Sequence, residues 1–265
     1  MVDAQYADYV VAITDTLVPF PNIPASISMT DVDAALWSMP LATRLRLPQG
    51  QPNRQRICVS SSWPAIRQNF SSTPPTTKKL LIPNRCGGAS LASTGILAEH
   101  MRKDGIHMGL ALGGITKTMC DMMDEGLIDR IVDAQVFDTG AIESIKNHPG
   151  RHIEISTSEY ADPFNKASYV NHLDFVILAS LEVDTHFNCN VVVDSSGMVT
   201  GAQGGHPDTA AGAQCTIVIV PLLQGRIPAV RTECTTITTP GETVDVVITD
   251  FGIASIPSVR TSSTP

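Results

Sequence analysis

Asp174-Phe175-Val176-Ile177-Leu178-Ala179-Ser180-Leu181-Glu182-Val183 is the longest strand-like apolar run in this 265-residue chain, and it has a carboxylate at its end. The run reads as one buried strand, with Asp184 directly after it. About twenty residues later comes Gly204-Gly205-His206-Pro207-Asp208-Thr209-Ala210-Ala211-Gly212-Ala213. A carboxylate delivered from a rigid strand suits catalysis. A glycine turn leaves backbone N–H groups clear of side chains. Together they suit covalent acyl chemistry, in which Glu182 attacks an acyl group and the N–H groups stabilise the oxyanion. The simpler reading of Glu182 is a strand-end carboxylate facing solvent, and that of Gly204-Gly205 is a tight turn into a helix.

Outward from this block the pattern is regular. Helices are predicted over Ser90–Lys103, closed by Gly105, over Thr116–Glu125, closed by Gly126, and over Thr139–Asn147. Strands are predicted over Ile106–Leu112, Ile128–Phe137 and His152–Ser156, with Gly113-Gly114 as a turn. Phe187–Val193 and Met198–Ala202 flank Asp194-Ser195-Ser196-Gly197, a hairpin turn by composition. Thr216–Val220, Ala229–Cys234 and Val244–Thr249 complete a strand-rich C-terminal half. Alternating strands and helices followed by a run of strands predict an α/β fold with a mixed sheet.

Towards the N-terminus the regularity stops. Ala34 to Ala98 holds no Asp or Glu, but it does hold Arg44, Arg46, Arg54, Arg56, Arg67, Lys78, Lys79 and Arg85. It also holds both tryptophans and seven of the 18 prolines. No helical or strand period persists between about Trp37 and Arg85. Residues 35–81 therefore read as an irregular basic segment. It is a disordered linker, an arm for a polyanion, or a stretch translated in a shifted reading frame. As a whole the chain is acidic, with net charge −8 and pI near 5.3, which argues against nucleic acid or an anionic membrane as the main partner. The largely apolar run Cys215–Leu223 is far too short to span a bilayer. The six cysteines have no zinc or C-x-x-C spacing. The first twenty residues carry Asp3, Asp8 and Asp15 and lack a basic n-region. The expectation is a cytoplasmic protein with reduced thiols.

Other motifs are weaker. Gly87-Gly88-Ala89-Ser90 and Gly113-Gly114-Ile115-Thr116 each precede a predicted helix, where an N-terminus favours an anion, but neither is a P-loop or dinucleotide fingerprint. His206 and Asp208 lack a third metal ligand at sensible spacing, so no metal is expected. No cysteine has a basic context that marks a nucleophile, and G-x-S-x-G does not occur.

With these residues assembled, the chain resembles the C-terminal part of the citrate lyase alpha subunit family, a group of type I CoA-transferases. The resemblance runs through Phe20-Pro21-Asn22, Ser26-Ile27-Ser28, Val32-Asp33, Gly87 to Ala92, Gly109 to Thr118, Asp138 and His152 to Thr157. It continues through Leu181 to Asp184, Gly204 to Ala213, Gly225-Arg226-Ile227-Pro228, Thr239-Pro240-Gly241 and Asp245 to Ala254. It implies a mixed-sheet CoA-transferase-like α/β domain over 82–254, whose start lies in 1–34, with residues 35–81 and the tail 255–265 outside the pattern. By that comparison Met1 falls mid-protein, and the frame-shift reading extends to the tail.

The implied activity is exchange of acetyl on an acyl-carrier-protein thiol for citrate, giving citryl-carrier protein and acetate. A glutamate passes through a mixed anhydride and becomes a glutamyl thioester. Glu182 matches that residue, and Gly204, Gly205, Gly87 and Gly88 match oxyanion or acyl-thioester contacts. No cofactor is bound directly; the thioester belongs to a CoA-derived prosthetic group on the carrier. The implied partners are the beta and gamma (acyl carrier) subunits and citrate, with no nucleic acid or membrane. Arg226 is a candidate structural or substrate arginine, and the citrate-binding residues stay unassigned. The alternatives are a non-catalytic remnant and an acyl-CoA hydrolase or other CoA-transferase of the same fold.

Overall fold

The structure is a computed structural model that describes residues 2–19, 25, 27–38, 79–81 and 88–256. The chain opens with a short helix, α1 (Val2–Tyr6), and two strands, β1 (Val11–Thr14) and β2 (Ala34–Trp37), that pair in parallel. Then follow β3 (Lys79–Leu81), α2 (Gly88–Asp104), β4 (Met108–Ile115), α3 (Lys117–Asp124), β5 (Ile128–Val136), α4 (Thr139–Asn147), β6 (His152–Glu154) and α5 (Thr157–Ala161). The second half contributes β7 (Phe175–Ala179), β8 (Glu182–Asp184), β9 (Cys189–Asn190), α6 (His206–Gly212) and β10 (Cys215–Ile219). It ends with β11 (Leu223–Gln224), β12 (Ile227–Pro228), β13 (Val230–Arg231), β14 (Val246–Ile248) and β15 (Ile253–Ser255).

The main sheet has eight strands in the order β15-β14-β10-β7-β3-β4-β5-β6. All neighbours are parallel except the edge pair β14–β15, so the mixed α/β sheet is realised. Strands this apolar are stable only when covered on both faces. Phe175, Ile177, Ile217 and Ile219 point into one core with Leu97 and Met101 of α2 and Met119, Met122 and Met123 of α3. Their alternates Val176, Leu178, Val218 and Val220 point into the other, with Ala161 of α5 and Ala210 of α6.

Local caps agree with this layout. Asp138 accepts the Ala141 N–H at the start of α4 through one oxygen and the Lys117 N–H at the start of α3 through the other, each at 2.8 Å. Ser156 and Glu159 form a reciprocal capping box on α5. Beneath α4, His152 bridges Asp133 (Nδ1 to Oδ2, 3.0 Å) and Ser144 (Nε2 to Oγ, 3.0 Å), all three buried, and ties β5 and β6 to that helix.

Several expectations need correction. The run Asp174–Val183 is two strands in different sheets. Ser180 donates its hydroxyl to the carbonyls of Glu182 and Asn190, and such local bonding competes with the ladder. Glu182 therefore belongs to a three-stranded sheet, β13-β8-β9, parallel on one side and antiparallel on the other. Gly113-Gly114 is a register shift inside β4, not a turn. The hairpin around residues 194–197 keeps its turn, with Asp194 Oδ1 accepting the N–H groups of Ser196 and Met198, but its strands shrink to one bridge, Val193–Val199. The segment read as irregular has a strand at each end, β2 and β3, and β3 lies near the middle of the main sheet. A three-residue strand is too short to show a period. The rest of that segment, and residues 257–265 of the tail, lie outside the described residues. Among the described residues the four cysteines are free, and no helix is long and apolar enough to cross a membrane.

Candidate active site

Glu182 does not face solvent; it is 3% exposed. Its carboxylate accepts from Asn190 Nδ2 at 2.8 Å, from the Thr235 N–H at 3.0 Å and from the Thr235 hydroxyl at 3.2 Å. It also forms an ion pair with the Arg231 guanidinium. Burial works to raise its pKa. The bonds from Asn190, Thr235 and Arg231 outweigh burial, so the carboxyl lies below its ordinary value and is ionised near neutral pH.

The donors differ in kind. Asn190 is fully buried and fixed by its own bonds, accepting the N–H groups of Val192 and Val193 and donating to Val193 O. Arg231 is 35% exposed along its side chain, and Thr235 sits in the exposed stretch that follows β13. Glu182 is therefore anchored from the core side and covered from the solvent side.

The turn from β8 to β9 is held as tightly. Asp184, also buried, accepts the N–H groups of His186 (2.9 Å), Asn188 (3.0 Å) and Cys234 (3.4 Å), and Asn188 Nδ2 at 3.0 Å. Phe187 takes φ 68°, an uncommon value for a residue with a side chain. Gly241 lies against this turn and gives its N–H to Asn188 Oδ1 at 2.9 Å. A Cβ there would stand 1.9 Å from His186 O. That close approach accounts for the glycine in Thr239-Pro240-Gly241.

Gly204 and Gly205 lead into α6, with φ 57° and −83°. This alternation of hand turns successive N–H groups to one side. A Cβ on Gly205 would lie 2.8 Å from the Tyr160 ring, which would have to shift to admit any side chain here. His206 fixes the turn, with Nδ1 2.6 Å from Thr239 Oγ1 and Nε2 3.2 Å from Ala179 O, the last carbonyl of β7. Glu182 leaves the same strand end three residues later, so Glu182 and the Gly204-Gly205 turn share the carboxyl end of β7. Gly88 opens α2 after β3, the parallel neighbour of β7, and so belongs to the same side of the sheet. Gly87 lies outside the described residues. In open α/β sheets this side is where ligands bind.

Other candidates disperse. Arg226 sits in the exposed turn between β11 and β12. Burial pushes the Cys189 and Cys234 thiols up to about 12, helped by the Cys234 sulfur at Cys189 and by Asp184 and Glu182 at Cys234, which disfavours the thiolate in both. Sequence reasoning missed Asn190, Arg231 and Thr235. The last two lie 49 and 53 residues beyond Glu182, outside any motif around it.

The model of the citrate lyase alpha subunit family matches residues 1–40 and 77–263. The chain belongs to that family. The citrate lyase alpha chain of Haemophilus influenzae is 40% identical over 267 residues, which are 97% of this chain and 51% of that protein. The Klebsiella pneumoniae citrate lyase alpha chain is likewise 40% identical, over 268 residues. The chain thus spans about half the length of the curated relatives it matches. A Streptococcus mutans structure described as a citrate lyase alpha subunit in complex with citrate superposes with a TM-score of 0.82 at 41% identity, over 97% of this chain and 50% of that one. The malonate decarboxylase alpha subunit of Acinetobacter baumannii, at 16% identity and a TM-score of 0.68, shares the fold alone. The family match leaves out residues 41–76 and runs across most of the stretch 255–265.

Proposed function

We propose that this chain carries the acyl-transfer site of a citrate lyase alpha-type transferase, which exchanges the acetyl group of an acetyl-carrier-protein thioester for citrate. The observation that best supports this reading is the buried, ionised Glu182 at the carboxyl end of β7, in a chain of the citrate lyase alpha family.

The Glu182 carboxylate attacks the acetyl carbonyl. The C–S bond breaks, leaving an acetyl–glutamyl anhydride and a thiolate. The thiolate attacks the glutamyl carbonyl, forming the glutamyl thioester and releasing acetate. A citrate carboxylate then attacks that thioester, and the returning thiolate takes the citryl group and restores Glu182. Each step is an acyl exchange, so a series of moderate barriers replaces one high one. N–H groups of the Gly204-Gly205 turn, and of Gly88 at the start of α2, are the candidate oxyanion donors. The thioester is that of a CoA-derived group on a gamma (acyl carrier) subunit, and a beta subunit receives the citryl product. Citrate as acceptor is favoured by the Streptococcus mutans structure, solved with citrate.

The test uses acetyl-CoA as thioester probe, with borohydride to reduce any glutamyl thioester, followed by peptide mass analysis. Reduction at Glu182, absent in Glu182→Gln, is expected, together with loss of about 10³-fold or more of acetyl-to-citrate transfer in that variant. A Glu182→Gln protein with unchanged transfer sinks the reading. Discharge of the loaded protein by water faster than by citrate assigns it to a hydrolase of the same fold.

A further inference from the structure

Arg231 and Thr235 meet Glu182 from its more exposed side, and the fully buried Asn190 holds it from the core side. Of these groups only Arg231 carries a charge, and its side chain is both in contact with Glu182 and 35% exposed. We propose that Arg231 is the carboxylate-binding residue of the acceptor site: it pairs with Glu182 in the free protein and with the substrate carboxylate once Glu182 is acylated.

The argument is one of charge conservation. Free Glu182 is an anion. When it becomes a glutamyl anhydride or thioester, it loses that charge, and its oxygens become much weaker acceptors. A half-buried guanidinium without a counter-ion is costly, so Arg231 then favours whichever carboxylate is present. In each thioester state one exists: the acetate just released, or the citrate carboxylate about to attack. The negative charge thus passes from Glu182 to the thiolate in each anhydride state and to the bound carboxylate in each thioester state before it returns to Glu182. The guanidinium meets a carboxylate both when Glu182 is free and when it is a thioester. Its fork geometry suits a carboxylate in either position. Thr235 adds a second donor on the same side, and Asn190 keeps the glutamyl carbonyl in place. Arg231 lies on β13, whose parallel register with β8 sets Arg231 opposite Asp184. The guanidinium is therefore placed by the same three-stranded sheet that holds the nucleophile.

This proposal rests on Glu182 being acylated, and the experiment separates the two. Load the full chain with acetyl-CoA, remove excess acyl donor, and follow discharge of the Glu182 thioester against citrate concentration. Arg231→Gln is expected to raise the citrate concentration for half-maximal discharge at least tenfold while slowing loading far less, and Arg231→Lys is expected to recover part of the loss. Independently of turnover, Glu182→Gln, which removes the competing anion, is expected to bind citrate at least tenfold more tightly than the unsubstituted protein in calorimetry. The gain disappears in Glu182→Gln/Arg231→Gln. Unchanged citrate dependence in Arg231→Gln, or an equal gain in the double variant, overturns the role of Arg231 and leaves the transferase reading standing. No label on Glu182 in the unsubstituted protein overturns both. If Arg231→Gln does not fold, Arg231→Lys carries the discharge comparison: wild-type citrate dependence there overturns the proposal, and a raised requirement supports it.

Discussion

Glu182 and Asp184 are two carboxylates on one short strand, and both lie below their ordinary pKa. In each, burial pushes upward and is outweighed by hydrogen bonds. Glu182 receives them from Asn190, Thr235 and Arg231, and Asp184 from Asn188 and the N–H groups of His186 and Cys234. A lowered folded pKa contributes stability that is present in full above the unfolded value of about 4, and that is lost as pH falls through the folded value. Thermal melts from pH 7 to pH 3 should therefore show an acid limb beginning near pH 4. Asp184→Asn should flatten that limb and cost roughly 1–3 kcal/mol at pH 7, because it replaces the acceptor for several part-buried donors. An Asp184→Asn protein with the original acid limb would remove Asp184 as its source. At this scale the sequence was half legible. Glu182 stood out because an apolar strand leads to it, whereas Arg231 and Asn190 carry no local mark of their function. Arg226, weighed as a structural or substrate arginine, sits in an exposed turn.

At the scale of elements, the support of the site is a matter of close packing. Gly241→Ala drives a methyl group into backbone atoms of the β8–β9 turn, where nothing flexible can yield. The expected loss is about 2–3 kcal/mol, with glutamyl loading reduced as well. Gly150→Ala, where a Cβ meets nothing within 4 Å, is the control and should change stability by less than about 1 kcal/mol. In the sheet, Leu178→Ala removes a side chain that is 2% exposed and should cost about 2–5 kcal/mol in urea unfolding. Long elements with caps were legible: α4 spans Thr139–Asn147 as predicted, its start marked by Asp138. The two- and three-residue strands β8, β9 and β13 were legible only coarsely, β8 merged with β7 and the other two inside the longer strands predicted over Phe187–Val193 and Ala229–Cys234, because two or three residues show no local period. The predicted strand Ala229–Cys234 accordingly shortens to Val230–Arg231.

Across the whole molecule, the two sheets at the ends of the chain's organisation differ in cover. β7 and β10 are buried on both faces, whereas the two-stranded pair β1–β2 leaves Val11, Ile13, Leu36 and Trp37 about half exposed or more. A two-stranded sheet with so little burial is marginal, so its amides should exchange with solvent many-fold faster than those of β7 and β10 in native-state hydrogen exchange. Equal protection in the two regions would refute this. By itself the sequence determined the α/β class, the apolar central strands and the family, because these are written in local periods and in contiguous motifs. It also singled out Glu182. The tertiary structure alone decided that the run ending in Glu182 breaks at Ser180, that the carboxylate is buried rather than exposed, and that Arg231 and Thr235 cover it. The break rests on hydrogen bonds from Ser180 to Glu182 and Asn190, and the cover on bonds to residues 49 and 53 positions beyond Glu182, which only the folded chain brings within reach.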